Sequence, residues 1–166
     1  KSIVESGGSD HFLLIGLALL TVGLLFKVSA APFHAWTPDV YQGSPTPVTA
    51  FMAAVTKVAA FGAAVRIYYF AVGGLVWSWR PILIAISIAT MAIGTVIAIA
   101  QKDVKRVLAY SAIAHSGFLL TGIIALSKDG LDAILIYLFT YGFATIGTFA
   151  IVTLVRDSGG EVSDLN

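Results

Sequence analysis

The sequence predicts an all-α membrane protein: a polytopic transmembrane helix bundle of about five spans, the first of them broken near Pro32. Three observations predict it. Hydrophobic residues make up 58% of the 166-residue chain and charged residues only 11%, where a soluble domain carries about 25% charged residues. The mean hydropathy is +0.91. Apolar runs long enough for a bilayer, which needs roughly 20 residues per helix, follow one another with short connections.

The spans are 12–41 (apolar over 12–31, then broken), 47–72, 81–100, 107–126 and 133–155, all within a single transmembrane domain covering 1–166. Barrel strands would alternate in hydropathy over about 10 residues, and these runs do not. Short connections make neighbouring helices antiparallel. Pro81 fits a helix first turn, where a missing N–H costs nothing. Asp103 and Asp132 stand where N-terminal caps belong. Trp77 and Trp79 suit an interfacial aromatic belt. The "QKDVKR" loop packs Lys102, Lys105 and Arg106 together, which the positive-inside rule assigns to the cytoplasmic side. Lys1, Arg66, Arg80 and Lys128 stand on the other side, so total counts do not decide orientation.

A net charge of +1 gives no case for nucleic acid, and the absence of cysteine excludes disulfides, thiolate metal sites and a cysteine nucleophile. No phosphate loop, metal cluster or nucleophilic triad is visible. The first apolar run lacks the basic leader of a signal peptide. A start at "KSIVESGGSD" and an end at "GGEVSDLN" suggest a piece of a longer polypeptide.

Four of the five prolines fall in "APFHAWTPDVYQGSPTP", residues 31–47. Pro32 is the expected breaker, because it cannot donate to the Val28 carbonyl and its ring crowds the preceding turn. Carbonyls freed in a membrane need partners. Lys27, the midpoint of 12–41, lies one turn before the break, near the partial negative end of its half-helix. The alternative is a helix that ends in a loop while Lys27 snorkels to the interface. His34 and Asp39 are expected to organise the interruption.

Lys57 lies ten residues after Pro47, roughly 15 Å along a helix and so near the bilayer centre. Insertion there costs about 2.5–3.5 kcal/mol, so Lys57 is expected to face a polar interior and to have a function. His115, ten residues after Lys105, has two readings. One is a neutral histidine bonded between helices, with Ser111 and Ser116 nearby. The other is a proton relay, since an imidazole passes protons between its nitrogens near neutral pH. Tyr110, Ser111, Tyr137, Thr140 and Tyr141 are expected to pack or to hydrogen-bond across helices. A lysine withdrawn from water favours its neutral form, and an approaching carboxylate restores the charge. The five apolar runs contain no Asp or Glu, so any such partner for Lys27 or Lys57 lies outside them.

The stretch "FKVSAAPFHAWTPDVYQGSPTPVTAFMAAVTKVAAFGAAVRI", with "AQKDVKRVLAYSAIAHSGFLL" after it, resembles the antiporter-like membrane subunits of respiratory complex I. The "WTPDVYQGSPTPV" wording is most similar to the N-subunit branch of bacterial NADH–quinone oxidoreductase. The resemblance implies about helices 7 to 11 of a larger bundle built on inverted repeats. It maps family residues for proton transfer onto Lys27, Lys57 and His115. The family's carboxylate partner of Lys27 is not matched, since Glu5 and Glu161 stand in the wrong contexts.

The implied activity is proton translocation driven by quinone reduction elsewhere in the complex, with no flavin, cluster or NADH on this chain. Implied partners are other membrane subunits, the lipid bilayer, protons and internal water. The implied location is a bacterial inner membrane, or an organelle membrane. Two alternatives stand beside this: an Mrp-type cation–proton antiporter subunit, and a purely structural helical scaffold.

Overall fold

Why the first apolar helix stops where it does is visible in its backbone. In a computed structural model that describes residues 11–157, 160 and 161, helix α1 runs His11–Lys27. Ser29 takes a left-handed conformation, φ 62°. The Ser29 and Ala30 amides turn back to the carbonyls of Phe26 (3.1 Å) and Leu25 (2.9 Å), which is a Schellman C-cap. The helix therefore ends before Pro32 is reached, and Pro32 lies in the loop that follows. This corrects the expectation that Pro32 itself makes the break. The polar interruption is short, and α2 (Trp36–Gly43) resumes the helical path.

The freed backbone groups find partners. The Val28 carbonyl accepts from the Ser116 hydroxyl (2.6 Å). The Ala31 amide donates to Thr90 Oγ1 (3.0 Å), and that hydroxyl in turn donates to the Ile86 carbonyl (2.6 Å). The indole of Trp36 stacks on Phe26 and donates to its carbonyl (3.2 Å). These are the substitutes for water that irregular backbone requires at membrane depth.

The second span is one continuous helix, Thr46–Ala71. Within it, α3 (Thr46–Phe51) and α4 (Lys57–Val65) are separated by a π-helical turn, Met52–Thr56, and a second π turn, Arg66–Ala71, follows α4. After a 3-10 turn at Gly73–Leu75 come α5 (Val76–Ile99), α6 (Val104–Ala125) and α7 (Lys128–Leu154). Among the described residues four helices are thus long and apolar enough to cross a membrane, and 12–27 forms a shorter apolar helix. A two-residue antiparallel hairpin, β1 (Arg156–Asp157) with β2 (Gly160–Glu161), ends the described chain. No strand was expected from the sequence. Lys1 and Glu5 lie outside the described residues.

Several boundary expectations change. Pro81 lies inside α5, not in its first turn. The helix starts earlier because the 3-10 turn and the Trp79 side chain hold its entrance: Trp79 Nε1 donates to the Val72 carbonyl (3.2 Å). Trp79 is only 4% exposed and packs on Tyr68, whereas Trp77 is 94% exposed, so the two do not form one belt. Asp103 caps α6 as expected, accepting from the Arg106 amide (3.0 Å). Asp132 caps nothing. Ser127 does so, accepting from the Gly130 amide (3.0 Å), and α7 begins one turn sooner.

The tightest pairing is the antiparallel α5–α6 hairpin. Gly94 lets the backbones touch, since a Cβ there would stand 2.6 Å from the Ala114 nitrogen. Small residues at helix contacts are the usual way membrane helices approach closely. Ser87 adds a bond across the pair, to the Gly117 carbonyl (2.8 Å). The main core gathers around Phe61, Leu83, Leu119, Ile123 and Ile134. A smaller one joins Tyr41, Ala53, Ala109, Ala112 and Phe149. Beside this second core lies the polar site.

Candidate proton-transfer site

Lys57 is the first residue of α4, immediately after the π turn. Such turns widen the helix by one residue and are common at functional positions. Its side chain is 4% exposed. The ammonium donates to the Ala112 carbonyl on α6 (2.5 Å) and to the Tyr141 hydroxyl on α7 (3.4 Å). It also lies 4.8 Å from the centre of the Tyr141 ring, within range of a cation–π attraction. Both oxygens are neutral. Among the described residues no group of three or more His, Cys, Asp or Glu side chains is placed to hold a metal.

His115 is half-buried on α6, one turn beyond Ala112. Its Nδ1 is hydrogen-bonded to the Tyr137 hydroxyl (2.6 Å). The imidazole also lies 5.1 Å from the Tyr141 ring. Ser116, an expected partner of His115, instead donates to Val28 and to its own helix. A cleft of about 610 Å³ opens between α6 and α7, lined among others by Ser111, His115, Tyr137, Thr140, Tyr141 and Thr145.

The fold therefore brings Lys57 and His115 to one site, both against Tyr141. Lys27 is not part of it. It is the last residue of α1 and exposed, and no acidic side chain pairs with it among the described residues. His34 lies in the interruption with a buried Nδ1 that has no hydrogen-bond partner there. Asp39 is on α2 and exposed, paired with Arg106 (2.7 Å). Tyr137 and Tyr141 stood out in the sequence as residues to pack or to hydrogen-bond across helices, but not as partners of Lys57 and His115. Their one available signal was the spacing of four, which puts both hydroxyls on one helix face.

The described residues thus form a bundle of membrane-length apolar helices with a lysine buried against two neutral oxygens. The model of the family described as "NADH:quinone oxidoreductase/Mrp antiporter, TM" matches residues 2–166, and the chain belongs to that family. NADH-quinone oxidoreductase subunit N of Parafrankia sp. is 60% identical over 96% of this chain. Subunit N 3 of Streptomyces griseus is 58% identical over 99%. The chain spans 30% of the length of each of these relatives.

Among solved structures, respiratory complex I from Thermus thermophilus with bound aureothin matches with a TM-score of 0.74 and 41% identity, over 91% of this chain and 32% of that one. The Mrp complex from Dietzia sp. matches with a TM-score of 0.86 over 95% of this chain and 29% of that one. At 23% identity that match speaks for the fold alone. Family and helices together make this a multi-pass membrane protein, and the named relatives are bacterial, as expected for an inner-membrane location.

Proposed function

We propose that the chain is part of a proton-translocating membrane subunit of an NADH–quinone oxidoreductase, and that Lys57 is the residue that holds and releases the proton. The carrying observation is the Lys57 ammonium, 4% exposed and met, among the described residues, by a carbonyl and a phenol hydroxyl. A charge moved toward or away from a buried ammonium changes how firmly it holds its proton. Intramembrane ionisable groups that face a bundle interior mark ion paths.

In this reading Lys27 is the movable-charge partner. It sits at the C-terminal end of α1, and a carboxylate from elsewhere in the complex pairs with it. Shifting that pair changes the field at Lys57, which passes its proton on toward His115. Quinone reduction elsewhere supplies the energy. The described helices act as one transmembrane domain among other membrane subunits, with internal water and lipid around them.

The test is Lys57→Ala in the full-length protein within the assembled complex, reconstituted in vesicles. Proton uptake coupled to NADH oxidation is expected to fall by about tenfold or more. Normal pumping in that variant overturns the role. Sodium-dependent exchange without NADH or quinone would point instead to an Mrp-type antiporter. Tolerance of neutral residues at Lys27, Lys57 and His115 alike would point to a scaffold.

A further inference from the structure

We infer that Tyr141 passes the proton between Lys57 and the His115–Tyr137 pair, so that the path turns from α4 to α6 through the face of α7. This rests on the proposed role of Lys57 and adds a residue to it. Tyr141 touches both ends: its hydroxyl accepts from Lys57 (3.4 Å), and its ring lies 5.1 Å from the imidazole of His115. The 3.4 Å contact is long for a hydrogen bond, and a small side-chain movement shortens it. Tyr137, one turn earlier on α7, holds His115 Nδ1 at 2.6 Å. With Nδ1–H donating to the Tyr137 hydroxyl, Nε2 of the neutral imidazole carries no proton and is the nitrogen that accepts one in the step below.

Lys57 and His115 have no hydrogen bond to each other, whereas each contacts Tyr141. The cleft of about 610 Å³ beside these groups carries several hydroxyls on its wall. Its wall is mostly apolar, but the hydroxyls of Ser111, Tyr137 and Tyr141 and the His115 imidazole supply the two to four polar partners that a water needs. The other potential contact of the ammonium, the Ala112 carbonyl, accepts hydrogen bonds but cannot relay a proton.

The step balances with water as the only added component. The Lys57 Nζ–H bond breaks and a Tyr141 Oη–H bond forms. The original hydroxyl proton leaves to a water in the cleft, and that water gives a proton to His115 Nε2. The net change is one proton moved from Lys57 to His115. The tyrosine ends as it began, a neutral phenol.

Phenylalanine at 141 would keep the ring, its packing and the cation–π contact, and would remove only the hydroxyl. Tyr141→Phe, Lys57→Ala and Tyr141→His are compared in the full-length protein within the assembled complex, as protons moved per NADH oxidised and normalised to assembled complex. Tyr141→Phe is expected to lower that ratio by about tenfold, with a changed solvent deuterium isotope effect. Tyr141→His, which restores a proton-passing group, is expected to recover part of it. Pumping at the parent ratio in Tyr141→Phe overturns the inference, and loss of pumping in Lys57→Ala alongside shows that the role of Lys57 survives. Equal loss in Tyr141→Phe and Tyr141→His in assembled complex also overturns it, because a proton-passing group at position 141 would then restore nothing. Parent ratios in both Tyr141→Phe and Lys57→Ala remove the underlying reading as well.

Discussion

At the scale of single residues, polar side chains do two kinds of work in an apolar chain, and the structure separates them. Thr90 and Ser116 are fully buried and serve the backbone of the interruption. Lys57, His115, Tyr137 and Tyr141 instead serve one another across three helices. Thr90→Val keeps the shape and orphans the buried Ala31 amide. An unsatisfied buried donor costs about 1–3 kcal/mol. The full-length protein in detergent is therefore expected to melt at a lower temperature, and an unchanged melt would show that Ala31 finds another acceptor. Lys57 and His115 were legible in the sequence because an ionisable residue inside an apolar run is costly and so conspicuous. The roles of Thr90 and Ser116 were not, because a short hydroxyl in such a run bonds its own preceding turn at little cost, and the role of Tyr141 was not, because an uncharged phenol in an apolar run is ordinary packing material. Only the partner across the bundle reveals the role. Tyr141 is 84 positions from Lys57 in sequence, and no periodicity spans that distance.

At the scale of elements, apolar length specified the long helices well and their ends less well. Cap chemistry decided the ends. Asp103 was found by its place before an apolar run, while Ser127 displaced Asp132 because its hydroxyl, five positions earlier, captured the Gly130 amide. The break in the first span followed from a left-handed serine, a conformation that costs about 1–3 kcal/mol outside glycine. Ser29 offsets some of this by accepting from the buried Thr37 hydroxyl (2.6 Å). The two π turns around α4 had no signature in composition at all. Packing of α5 on α6 is set by Gly94. Gly94→Ala places a methyl where a Cβ meets the Ala114 nitrogen at 2.6 Å, against backbone that cannot swing aside. Overpacking of this kind costs about 1–3 kcal/mol. The expected result is a lower melting temperature and a smaller folded yield of the full-length protein. A wild-type melt would mean that the hairpin opens without cost.

At the scale of the whole molecule, one end is laced by charge. Arg106 on α6 donates to Asp39 (2.7 Å) and Gln42 (3.0 Å) of α2 and to Gln101 (3.0 Å), and Gln42 donates to Asp103 (3.4 Å). Lys105 reaches the Ser44 carbonyl (3.3 Å). Thus two of the three basic residues in "QKDVKR" bind α2 and the turn that follows it, in addition to any part they play in orientation. Exposed ion pairs of this kind contribute about 0–1 kcal/mol, and Asp39 is well exposed. Arg106→Ala is therefore expected to shift the melt of the full-length protein only slightly, with the difference shrinking as salt is added. A large, salt-insensitive loss would mean that the network, and not the buried Thr37–Ser29 bond, holds α2 in place.

The sequence by itself determined the class of the protein, the positions of its four long apolar helices, the presence of a polar interruption after Lys27, and the depth of Lys57. Those features follow from composition and run length, which act locally along the chain. Only the tertiary structure decided that Lys57 and His115 meet around Tyr141 while Lys27 stands apart, that Trp79 is buried, and that Ser116 serves the break and not the histidine. These depend on which helix faces turn toward each other. That is set by close approach at small residues such as Gly94 and by the need to satisfy every freed backbone group, and neither is written in any single segment.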